Sequence, residues 1–390
     1  MSSPEIIVVG GGIMGCSTAL RLARAGASVC VLERSVPGAE ASTAAAGILA
    51  PMMENEQDGP GLRLGLRSAT LHSTWAADLR ERHALEVGHR VSGLLRVAFA
   101  HEGDASVKAL EEHAARLRAS GLTGMDGVAL LDGAEARRRE PALSPAVCAA
   151  LELPGEGQVD PRLLLPALSV AAEREGVRFL TDCVVREVLV HGGRAQGVRL
   201  DDGPLHAGHV VVAAGSWTSV VPGVPVPAGT VAPVKGQLMR THARPRLLER
   251  VVFGAGGYLV PRAAGDVLIG ATTEHVGFAR GVTLSGLAEL IAIATTVAPR
   301  LAGCVVQDHW AGFRPGTPDG LPLVGSTHVP GLWLASGHYR NGILLAPVTA
   351  EILTAQLLGV TSPDLSDLDD AIRALDPRRF ASPSPTSSTA

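Results

Sequence analysis

Hydrophobic positions along this chain fall into two regimes. Short unbroken apolar runs recur at the start, middle and end, separated by stretches rich in Arg, Glu and Ala. Ile6-Ile7-Val8-Val9 is entirely β-branched, the pattern of a strand buried on both faces. Three glycines follow. Ile13 to Ala25 then carries Ile13, Leu20 and Ala23 at helical spacing, and Gly26 stands where a helix-ending glycine belongs. Ser28 to Leu32 is a second apolar run, ending at Glu33. Residues 5–33 thus read as strand, helix, strand.

Residues 61–140 read mostly as helices, among them Arg67 to Arg82 and Ala105 to Ala119. From 158 to 215 the α/β pattern returns. Pro161 to Glu175 predicts a helix. Cys183 to Val190 and Ala195 to Leu200 predict a hairpin across Gly192-Gly193, and His209 to Ala214 predicts a buried strand. Residues 230–310 alternate like an antiparallel sheet, broken by one helix near 284–297. Residues 331–358 read as strand, Gly-rich turn and helix. The Ser/Pro/Thr-rich tail, 382–390, predicts disorder. No tandem repeat is present.

Composition narrows the class. At 390 residues, two domains are the default. A net charge of −4 with scattered basic residues argues against a nucleic-acid partner. Five cysteines, an odd number without a CxxC pair, argue against a disulfide framework or a zinc site and fit a reducing cytoplasm. The N-terminus lacks a basic region before its short apolar run, so no leader peptide is expected, nor is any integral membrane segment.

Gly10, Gly12 and Gly15 match G-x-G-x-x-G in the required setting, after a strand and opening a helix. Gly10 permits the turn, Gly12 a close approach to pyrophosphate, and Gly15 tight helix–strand packing. Glu33 can accept the ribose hydroxyls of an adenosine and would repel a 2′-phosphate. This pattern leaves NAD and FAD open. Ala41 to Ile48 is a run of small residues with two hydroxyls, suited to lie against a flat ring or, equally, to form a surface loop.

These segments, with Val159-Asp160-Pro161-Arg162, PVKGQ at 233–237, YLVPR at 258–262, IGATTE at 269–274, WAGFRPGTPDGLPLVG at 310–325 and GHYRNGILLAP at 337–347, carry a resemblance over residues 5–360. The chain resembles the D-amino-acid oxidase superfamily of flavoproteins, and within it the glycine oxidase (ThiO-like) family. The implied fold is α/β, a Rossmann-like FAD-binding domain (1–75, 145–220 and 308–365) interleaved with an antiparallel-sheet substrate domain (76–144 and 221–307). The resemblance implies FAD, its adenosine end at Ile13, Met14, Glu33 and Arg34. Ser42, Ala46, Gly47 and Ile48 would lie near the pyrophosphate and isoalloxazine. Val184 would offer its backbone to adenine, and the 211–215 segment, ending in Gly215, would form a second contacting strand. His338, Tyr339, Arg340, Asn341, Gly342, Ile343 and Leu344 would wrap the ring. The loop SGHYRNG has no cysteine, so non-covalent FAD is expected.

For substrate, a lone Arg314 in a Gly/Pro-rich apolar segment suits bidentate carboxylate capture, or equally a bond to loop carbonyls. The resemblance favours the former, with Tyr258 as the pocket tyrosine and Arg340 as a second pocket residue. His338 is set aside as a general base, because a neutral amine can release its α-hydride to flavin directly. The implied activity is oxidative deamination of glycine or a similar small amino acid, with O2 reduced to H2O2. The resemblance also implies that the product serves thiazole assembly for thiamine and that the enzyme is a homo-oligomer, a tetramer. The rivals are a sarcosine or D-amino-acid oxidase or dehydrogenase, and a non-catalytic flavin-binding protein. No metal is expected.

Overall fold

A computed structural model describes residues 3–55, 57–360 and 363–380; the tail expected to be disordered lies outside them. The chain forms two compact units. Met1–Thr43, Leu165–Val234 and Arg314–Ala390 build the first, and Ala44–Leu164 with Lys235–Phe313 the second.

The first unit holds a six-stranded sheet in the order Leu323–Ser326, Leu332–Ser336, His209–Val212, Ile6–Val9, Val29–Leu32, Arg178–Leu180. All neighbours are parallel except the antiparallel pair Leu323–Ser326 and Leu332–Ser336. Ile6 stands opposite Val29 on one side and His209 on the other. Helices cover parallel sheets, so the central strands are apolar throughout, and Ile6–Val9 is buried at every position. The Ile13–Arg24 helix returns over the sheet and packs with the Gly342–Leu358 helix, where Arg21 pairs with buried Glu351 at 3.1 Å. Among the described residues one helical segment, Tyr339–Leu358, is long and apolar enough to cross a membrane by length and composition alone, and it carries Arg340 and Glu351. Two-thirds of it is buried in the folded chain. A small sheet of Glu187–His191, Arg194–Leu200 and Gly203–His206 completes the unit.

The second unit is organised by an eight-stranded sheet. Its order is Val305–Gly316, Ala232–His242, Asp266–Gly270, Gly257–Pro261, Val251–Gly254, Leu94–Phe99, Val147–Leu153, Ala129–Asp132. The Leu284–Val297 helix buries Leu290 and Ile293 in the same apolar cluster as Leu259 and Ile269.

Two findings depart from the pattern reading. Leu94–Phe99 and Ala129–Asp132 are strands inside a region expected to be mostly helical. Their pairing is long-range: Leu94–Phe99 lies between Val147–Leu153 and Val251–Gly254. The unit boundaries also differ from the expected segments, because residues 44–75 and 145–164 pack with the second unit. Ile48–Leu49 pairs with Gly157–Gln158 there, which binds both segments to one body.

Candidate active site

The glycine turn of the first unit has steric reasons at each end. Gly10 has φ +108°, and a Cβ there would stand 2.5 Å from the Ala213 carbonyl oxygen. A Cβ on Gly15 would stand 1.9 Å from the Gly10 carbonyl oxygen. Glu33 is buried, and its carboxylate accepts the Gly11 N–H at 2.7 Å and the Ser35 N–H at 2.9 Å. Gly11, which motif reading left without a role, thereby fixes the acid. The Cys183 N–H donates to the Glu33 carbonyl at 2.9 Å, which holds Val184 near the end of the second strand. Arg34 pairs with Glu40, and its guanidinium lies 3.9 Å from the Trp217 ring centroid. Trp217 was missed by sequence reasoning; one of four tryptophans, two residues after Gly215, was the available signal.

The helix beginning at Ile13 has no side-chain cap from its own Ncap residue. Ser42 supplies one from a distance, its hydroxyl accepting the Ile13 N–H at 2.9 Å. The N–H groups of Gly12, Met14 and Gly15 have no acceptor among the described residues, and Met14 and Gly15 are buried. Buried backbone donors without partners are rare, and at a helix N-terminus they form an anion cradle.

Gly215 joins the ends of two strands. Its carbonyl accepts the Thr218 hydroxyl at 2.8 Å and the Ser336 hydroxyl at 3.0 Å. Beyond Ser336 the chain enters the loop singled out above. His338 is fully buried, its Nε2 is 3.0 Å from the Thr349 hydroxyl, and burial pushes the imidazole down to about 3. It is therefore neutral at physiological pH. Tyr339 takes a positive φ of 48°. Arg340 is exposed, its guanidinium 5.5 Å from the Tyr339 ring centroid. The Asn341 N–H donates to the His338 carbonyl at 2.9 Å, and the long helix starts at Gly342 with Ile343 and Leu344 buried. No cysteine lies in this loop, and all five cysteines are free.

In the second unit, the small-residue segment is held by its carbonyls. Trp310 Nε1 donates to the Ala44 carbonyl at 2.9 Å, and Arg262 Nη2 to the Ala46 carbonyl at 2.7 Å. The Val159 N–H donates to the Gly47 carbonyl at 2.9 Å. Gly47 has φ +70°, and a Cβ there would stand 2.1 Å from the Val159 carbonyl oxygen. Ala46 and Gly47 are buried, yet their N–H groups have no acceptor among the described residues. Ile48 pairs with Gln158. Arg262 and Trp310 were quoted within motifs but given no role; nothing in periodicity marks a side chain that reaches a backbone carbonyl.

Tyr258 lies on Gly257–Pro261 opposite Gly270, half-buried against Phe253 at 5.5 Å between ring centroids. A Cβ on Gly270 would stand 2.4 Å from the Tyr258 ring, so that ring needs glycine beneath it. Arg314 is half-buried on Val305–Gly316. It belongs to the first unit and Tyr258 to the second. Among the described residues, no group of three or more His, Cys, Asp or Glu is placed to hold a metal ion.

A parallel sheet, an open helix N-terminus and a carboxylate ending the second strand define a dinucleotide-binding α/β protein. The further unpaired donors at Ala46 and Gly47 fit the acceptor-rich rim of a flavin. The chain belongs to the family of FAD dependent oxidoreductases abbreviated DAO, which matches residues 5–356. It is 36% identical over 353 residues to the bifunctional protein ThiO/ThiG of Nostoc sp., covering 90% of this chain and 52% of that protein. The chain thus spans about half the length of those bifunctional relatives. It is 32% identical over 364 residues to a glycine oxidase of Pseudomonas putida, covering 92% of this chain and 95% of that one. The crystal structure of glycine oxidase from Geobacillus kaustophilus superposes with a TM-score of 0.87 at 31% identity, covering 94% of this chain and 98% of that one.

Proposed function

We propose that the protein oxidatively deaminates glycine or a similarly small amino acid. The amino acid loses two electrons and two protons, which reduce O2 to H2O2. Water then adds to the imine and displaces ammonia, leaving glyoxylate when the substrate is glycine. Bound FAD supplies the two-electron acceptor between amino acid and O2.

Arg314 takes the substrate carboxylate with its planar fork, and Tyr258 donates its hydroxyl to the same group. Arg340 adds positive potential from the Gly-rich loop. The two cationic groups disfavour an ammonium and lower the amine's pKa on binding. Catalysis is then positioning and electrostatics. The observation that carries this reading is His338: the one imidazole in the loop is buried and engaged with Thr349, and burial pushes it down to about 3, which makes it a poor proton acceptor and so a poor general base. An unassisted loss of hydride from a neutral amine needs none.

The similarity to glycine oxidases over nearly the whole of both chains supports glycine as substrate, and the ThiO/ThiG relatives support a role in thiazole assembly for thiamine. The enzyme would act in the cytoplasm as a homo-oligomer, a tetramer. Oxygen uptake and H2O2 release over glycine, sarcosine and several D-amino acids test the proposal. Turnover with sarcosine or D-amino acids alone reassigns the substrate. Flavin reduction without oxygen uptake makes the protein a dehydrogenase, and no reduction by any of them leaves a flavin-binding protein without turnover.

A further inference from the structure

The small-residue segment is gripped from one side. Trp310, Arg262 and the Val159 N–H occupy the carbonyls of Ala44, Ala46 and Gly47. In a trans peptide the carbonyl of one residue and the N–H of the next point in opposite directions. A donor fixed on the Ala46 carbonyl therefore fixes the direction of the Gly47 N–H, which is buried and has no acceptor among the described residues. The Arg262 guanidinium is itself almost entirely buried. Burial pushes its pKa down, and Asp160, whose carboxylate lies 3.7 Å from Nε, pulls it back up. Its Nη1 is taken by Gln158, in the strand that pairs with Ile48. A charged donor on a carbonyl in a mostly buried place also polarises the attached peptide and strengthens its N–H as a donor.

We propose that Arg262 is a positioning residue that, through the Ala46–Gly47 peptide, aims and polarises the Gly47 N–H as a hydrogen-bond donor to the acceptor edge of the flavin ring. The inference rests on the FAD-bound reading of this segment. It explains why a guanidinium with a rigid fork stands here: one arm takes the backbone and the other takes Gln158. A lysine keeps the charge beside Asp160 but is a point donor without that fork.

The test uses Arg262→Lys and Arg262→Gln in the full chain. FAD affinity is measured by titrating apoprotein, the flavin midpoint potential by dye equilibration, and apoprotein melting separately. A donor to the ring holds reduced flavin, with its extra negative charge, more tightly than oxidised flavin. A tenfold loss of that preference lowers a two-electron potential by about 30 mV. The expected result is a lowered potential and FAD affinity weakened about tenfold in Arg262→Gln, with partial recovery of both in Arg262→Lys. An unchanged potential and affinity in a folded Arg262→Gln overturns the proposal. So does loss of fold in both variants, which assigns Arg262 to structure alone. If wild-type protein takes up no FAD, the cofactor reading falls first and this inference with it, a result distinct from any variant effect.

Discussion

Replacing Glu33 with alanine tests the nucleotide end of the site most directly. In the structure each carboxylate oxygen already accepts one backbone N–H, from Gly11 at 2.7 Å and from Ser35 at 2.9 Å, and the group is buried. A carboxylate oxygen has two lone-pair sites, so each retains one for a ribose hydroxyl. Hydrogen bonds to a charged group contribute about 1.5–3 kcal/mol. Losing the ribose contact should therefore weaken FAD binding by ~1.5–3 kcal/mol, roughly 10- to 150-fold in Kd. A second effect accompanies it. The Gly11 N–H is left buried and unpaired, at a cost of about 1–3 kcal/mol to the folded state, so apoprotein melting should also fall. Titration of apoprotein with FAD, followed by flavin fluorescence, measures the first effect, and thermal melting without FAD measures the second. A fall in melting temperature with FAD affinity unchanged would refute the ribose assignment and leave Glu33 as a turn anchor only.

Arg314→Leu should keep FAD bound and lower kcat/KM by roughly 30- to several-thousand-fold, from about 2–5 kcal/mol for removing a desolvated carboxylate's partner; wild-type kinetics would remove Arg314 from the site. Acid precipitation should release the flavin into the supernatant, and colour kept in the pellet would mean a covalent link. Burial holds His338 near 3 when folded against an ordinary 6.5 when unfolded, so the unfolded chain binds the extra proton between those values. Stability is unaffected above pH 6.5 and falls as pH drops toward 3; His338→Gln should flatten that loss between pH 6.5 and 5, and parallel melting curves for the two proteins would contradict it. Flavin reduction by substrate should accelerate with pH through one ionisation that His338→Ala leaves in place. Its disappearance in stopped-flow traces of the variant would make His338 a base.

The opening strand, helix and strand were legible because every constraint on them is local. Ile6–Val9 is apolar at each position since both faces are covered, and Gly10 and Gly15 face backbone oxygens that exclude a Cβ. Leu94–Phe99 was not legible, because its partners lie some fifty residues or more away in sequence and its identity as a strand is decided by that pairing. The same holds at the site. Arg314 and Tyr258 were singled out through the family resemblance, whereas Gly11, Trp217, Arg262 and Trp310 make contacts that periodicity does not encode. The 44–75 segment follows the nucleotide motif in sequence and reads with it, while its hydrogen bonds run to 156–159 and it packs in the second unit.

The chain passes between its two units four times, and the strand beside Ile6–Val9 on one flank is His209–Val212. During synthesis the first strand emerges roughly 200 residues before that neighbour, which at about 5–20 residues per second is a wait of some 10–40 s. The next strand outward, Leu332–Ser336, comes later still. Until then Ile6–Val9, apolar on both faces, has Val29–Leu32 as its one sheet partner made so far within reach. For about half of its synthesis the first strand therefore waits with one flank unpaired. Splitting it into separately expressed halves would leave each unit with a gap in its sheet or its helices, since neither unit is a continuous stretch of polypeptide.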